Sequence, residues 1–74
     1  MESLKKEIPG AAIDKFCVKE FGALPKGNIL PSEVYSKSNA SLEDKFIEIA
    51  KTCFDKELTK YKAATMVCRL EMFL

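Results

Sequence analysis

The chain has 74 residues and no histidine, which removes the commonest general base and the commonest metal ligand of folded proteins. Its three cysteines are an odd number that full internal pairing cannot use, and Cys17, Cys53 and Cys68 lie far apart with no C-x-x-C pair. Neither a disulfide framework nor a thiolate metal site is therefore expected, and the thiols read as buried small hydrophobes. No apolar run approaches the roughly 18 residues that a membrane span needs. The most apolar stretch, TMVCRLEMFL at residues 65–74, is interrupted by Arg69 and Glu71. MESLKKEIPG at the N-terminus carries charge but no apolar segment of the kind a signal peptide requires. Together these absences predict a reduced, cytoplasmic protein with no membrane association and no cofactor.

Charge of one sign is also lacking. Twelve basic and eleven acidic side chains leave a formal net charge of +1, which gives no general reason to expect nucleic acid or an anionic surface as partner. Residues 51–74 are mildly basic, with five basic and three acidic side chains. Lys51, Lys56, Lys60, Lys62 and Arg69 scatter around a helical wheel, however, with Asp55, Glu57 and Glu71 between them.

What is present is helical periodicity. Ile13, Phe16, Cys17, Phe21 and Leu24 recur at steps of three and four, with Asp14, Lys15, Lys19 and Glu20 between them. Pro9 and Gly10 precede this stripe and Gly22 closes it, so a helix is predicted over 10–21 behind a flexible lead-in at residues 1–9. The following stretch contains Pro25, Gly27 and Pro31. Proline suits the first turn of a helix, which predicts a short helix over 31–37 anchored by Val34 and Tyr35. A strand through Asn28, Ile29 and Leu30 is the competitor, although it has no evident partner.

Ser41 is placed to cap the amide of Asp44, while the Asp44 carboxylate turns back in a variant of the capping box. From Leu42 onward Phe46, Ile49, Ala50, Cys53 and Phe54 share one face. The same wheel, run on to the C-terminus, keeps Tyr61, Ala64, Cys68 and Met72 on that side. Glu57 and Lys60 interrupt the stripe, which marks either a break near residues 58–60 or a place where the stripe is no longer covered, so residues 42–74 read as one long helix or two shorter ones. A continuous helix of about 33 residues would be roughly 48–50 Å long, against a radius of gyration near 11 Å for a compact chain of this size. Asn39-Ala40-Ser41 is a glycosylation acceptor only in a secreted chain, and Ser41 already has its capping role.

The expectation is a single all-α domain over 1–74, a small bundle of three or four helices whose last helix is apolar on two faces. Met66, Leu70 and Phe73 lie almost opposite the side carrying Cys68 and Met72, and one neighbouring surface cannot cover both. The second surface is either helix one of the same chain, which makes the last helix central to a small bundle, or another chain, since small chains often need added burial from association. The reading that follows is a non-enzymatic regulatory or adaptor protein that binds another protein or a second copy of itself. Its candidate contact residues are Tyr61, Met66, Arg69, Leu70, Met72 and Phe73. The alternative is a small nucleic-acid-binding regulator using the basic last third. Glu43, Asp44 and Glu48 form no catalytic cluster by necessity, since acids near a helix start are favoured by the helix dipole alone.

Overall fold

Pro9 holds an extended backbone and its carbonyl accepts the amides of Ala12 and Ile13 at 3.0 and 3.2 Å, which starts helix α1, Gly10–Phe21, in the computed structural model. The structure describes residues 8–74, so most of the expected lead-in over 1–9 lies outside the described residues. Gly22 ends α1 at φ +66°, a left-handed conformation that costs glycine little, and its amide returns to the Val18 carbonyl at 2.8 Å.

Helix α2, Pro31–Lys37, has proline in its first turn and no side-chain cap of its own at Leu30. Its orphan amide is satisfied from α1 instead. The Asp14 carboxylate accepts from the Ser32 amide at 2.8 Å and from the Ser32 hydroxyl at 3.2 Å, so one helix caps the next. Val34 is buried, and the Lys45 ammonium stands 4.3 Å from the centroid of the half-buried Tyr35 ring. No strand forms at residues 28–30.

Helix α3, Leu42–Phe54, begins where the Ser41 hydroxyl accepts the Asp44 amide at 3.3 Å. The Asp44 carboxylate, expected to turn back, sits 3.3 Å from the Lys60 ammonium. Asp55 terminates α3 in the left-handed region at φ 54°, and the Lys56 amide turns back to the Ala50 carbonyl at 2.9 Å. Residues 55–59 are not helical. Thr59 then accepts the Lys62 amide at 3.1 Å and starts α4, Lys60–Phe73. The segment from Leu42 onward is therefore two helices, with the break at residues 55–59 and Lys60 already in the second.

The four helices close a circuit in which α1 packs on α2, α2 on α3, α3 on α4 and α4 on α1. The Cα radius of gyration is 11.8 Å. Phe16 of α1 sits near the middle, edge-on to Phe46 at 6.0 Å and tilted against Phe73 at 5.4 Å between ring centroids. Ile13, Cys17, Ile49, Cys53, Ala63 and Leu70 fill the space around it. The larger of these, Ile13, Ile49 and Leu70, each contribute about 1.5–3 kcal/mol by leaving water. At one end Phe21 stacks on Phe54 at 4.5 Å. The Lys26 amide donates to the Cys53 carbonyl there, tying the α1–α2 loop to the end of α3. Leu24, expected on the α1 stripe, is 78% exposed. It lies beyond Gly22, where the helical phase that would have turned it inward has ended.

Candidate functional site

The two apolar faces of α4 are both real, and the bundle covers one of them. Met66 and Leu70 are 4% and 1% exposed, inside the same core as Phe16 and Phe46. Phe73 is half-buried against Phe16. The opposite side carries Tyr61 at 82% and Met72 at 86% exposure, with Cys68 exposed between them.

This corrects the reading from periodicity in two respects. Met66 and Leu70, expected among the contact residues, are core side chains, and Phe73, expected with them, packs half-buried against that core. Cys68, expected to be buried with Cys17 and Cys53, faces outward. The cause is the non-helical segment 55–59. A wheel continued from α3 assumes an unbroken 100° per residue, whereas a chain that leaves the helix at Asp55 and re-enters at Lys60 restarts with its own rotation. That restart turns the Met66–Leu70 side inward.

Arg69 stands at the edge of the outward face, where its guanidinium donates to the Glu20 carboxylate at 2.9 Å and ties α4 to α1. Beside it a shallow groove between the end of α1 and the start of α4 is lined by Phe21, Lys56, Glu57, Leu58 and Lys62 among others. The groove mixes both signs of charge. A second groove, lined by Ile8, Leu42, Val67, Leu70, Glu71 and Leu74, lies where the end of α4 meets the start of α3. The outward stripe of α4 lies between these flanks, so Tyr61, Met72 and Arg69 are the expected contact residues that the fold leaves at the surface.

Two of the three thiols are buried in the bundle. Burial, with smaller contributions from Cys53, Asp14 and Glu20, pushes the Cys17 thiol up to about 12. Burial also raises Cys53, with Asp14 and Glu33 adding to it. A thiol held protonated is a poor nucleophile and a poor metal ligand. Among the described residues no three His, Cys, Asp or Glu side chains gather in a way that could hold a metal ion, and no helix is long and apolar enough to cross a membrane. Of the basic residues in the last third, Lys60 is paired with Asp44 and Arg69 with Glu20. Comparison with protein-family models, with curated proteins and with solved structures finds no match for this chain.

Proposed function

We propose that this is a small, non-enzymatic regulatory or adaptor protein that works by docking the outward face of α4 onto another protein. The observation that carries the reading is the pair Tyr61 and Met72, two large apolar-bodied side chains more than four-fifths exposed on one side of a single helix. Aromatic residues and methionine are enriched where proteins meet, because both present large contact area and methionine adapts its shape. Arg69, fixed by Glu20 at 2.9 Å, supplies a polar rim whose geometry is already ordered before a partner arrives. The absence of histidine from the sequence and the raised Cys17 and Cys53 thiols support binding over catalysis. Acid partners on Lys60 and Arg69 weigh against a phosphate-binding surface, since those charges are already compensated.

The test is a double substitution, Tyr61→Asp with Met72→Asp, in a tagged chain expressed in its own cells and cross-linked before capture. The account expects the variant to lose proteins that the wild-type chain retains, while its helical circular dichroism and melting temperature stay close to wild type. Identical capture by a folded variant would refute the docking role.

A further inference from the structure

The junction between α3 and α4 is made of residues that also suit a helix. Lys56, Glu57 and Leu58 are good helix formers, and neither glycine nor proline occurs after Pro31. Particular contacts hold the break. Asp55, alone among the described non-glycine residues, has a positive φ, 54°, a conformation in which the β-carbon crowds the following carbonyl. Thr59 accepts the Lys62 amide at 3.1 Å. Lys26 ties the turn from outside, its amide donating to the Cys53 carbonyl and its ammonium lying 3.4 Å from the Asp55 carboxylate. Between these contacts the backbone amides of residues 57–60 donate to no acceptor among the described residues.

Straightening residues 55–59 gives those amides the carbonyls one turn back and releases Asp55 from the left-handed region. The straight helix does not fit one molecule. It is roughly 48–50 Å long, whereas the longest dimension of the molecule is 40 Å. Its two core faces also diverge: on a continuous helix Ala63, Met66 and Leu70 are turned roughly 130° from Phe46, Ile49 and Cys53. One body built of α1 and α2 covers only one of these faces. Two such bodies, one at each half of the helix, cover both. The core then re-forms with α4 supplied by the other chain, so the contacts of Met66 and Leu70 with the core around Phe16 and Ile49 are remade between chains without any new packing.

We infer that residues 55–59 are a hinge through which two copies of the chain exchange α4, each continuous helix spanning both bodies. The exchange does not depend on the docking role proposed above. It adds to that role a form in which two outward α4 stripes sit on one particle.

Exchange requires α4 to leave its own core, so it is slow and its product persists after dilution. Equal amounts of unlabelled and heavy-isotope-labelled reduced chains are annealed together at about 1 mM, just below the melting midpoint, then cooled and diluted to about 5 µM. Size exclusion with light scattering is expected to show, beside the 8.3 kDa monomer, a lasting species of twice that mass. A carbodiimide then joins the Lys60 ammonium to the Asp44 carboxylate, which lie 3.3 Å apart. On a straight helix these residues are about 24 Å apart, so no exchanged chain makes the link with itself. About half of the Asp44–Lys60 links in the dimer should therefore carry mixed label, and none in the monomer. Failure to dimerise, or a dimer whose links are all like-labelled, would overturn the exchange. Glu57→Pro removes an amide that bonds nothing in the monomer and breaks the straight helix, so it is expected to fold and stay monomeric. Asp55→Gly suits the turn and weakens the straight helix, and is expected to lower the dimerisation constant about 25-fold, or about fivefold at each of two hinges. Dimerisation of either variant at the wild-type level would overturn the hinge.

Discussion

Leu70 and Met72 are two residues apart on α4 yet face opposite environments, at 1% and 86% exposure, and truncating each to alanine should have very different costs. Leu70→Ala removes methyl groups from a core that includes Phe16, Phe46 and Ile49, and such changes cost about 2–5 kcal/mol through lost burial and the cavity left behind. For a domain of 74 residues, total stability is about 4–11 kcal/mol and the unfolding entropy near the midpoint is about 155 cal/mol/K. The predicted fall in melting temperature is therefore about 13–32 °C, and at the low end of the stability range the larger cost leaves the chain partly unfolded at room temperature. Met72→Ala removes a side chain already in water and should cost no more than about 0.5 kcal/mol, or about 3 °C. Thermal unfolding followed by far-ultraviolet circular dichroism measures both. Equal shifts, or a larger loss for Met72→Ala, would refute the assignment of the two faces.

Two further outcomes follow from particular contacts. Asp14→Ala deprives the Ser32 amide and hydroxyl of their acceptor and should cost about 1–2 kcal/mol in urea unfolding. Asp14→Asn, which keeps an acceptor oxygen, should recover part of that loss. The Cys17 thiol ionises near its ordinary 9.0 in the unfolded chain and about 12 in the fold, so burial stabilises the protonated form. Its contribution is fully present below pH 9 and is lost as pH rises from 9 toward 12, by up to about 4 kcal/mol at the upper end. Stability measured between about pH 8 and 10.5 should fall less steeply in Cys17→Ala than in the wild-type chain.

Helix boundaries were legible because local chemistry sets them. Pro9, Gly22, Pro31 and Ser41 each mark an end that the structure places as expected, and each acts through its own backbone or nearest amides. The α3 face was legible for a related reason, since Phe46, Ile49, Ala50, Cys53 and Phe54 lie on one uninterrupted helix. The rotation of α4 was not. It depends on five non-helical residues whose path is fixed by Asp55 in a left-handed conformation, a role that a non-glycine residue does not advertise. Thr59, three residues before the amide it caps, was readable in principle, yet Lys62 at the third helical position lacks the acid that marks a capping box. The Asp14–Ser32 cap joins residues far apart in sequence, and no local pattern announces it. The candidate contact surface was consequently half legible: two apolar faces were visible, but which one meets water was decided by the restart after Asp55.

That restart is most directly tested by thiol reactivity, because the three cysteines sample both sides of the bundle. Cys17 and Cys53 are buried and Cys68 is exposed. Reduced native protein at about 1 µM is treated with an aromatic disulfide reagent, and the labelled positions are mapped by peptide mass. The account predicts one fast thiol per chain, Cys68, with Cys17 and Cys53 reacting only as fast as the whole domain unfolds. A protected Cys68, or labelling of Cys17 or Cys53 ahead of it, would mean that α4 presents the other face and that Tyr61 and Met72 are not the docking surface.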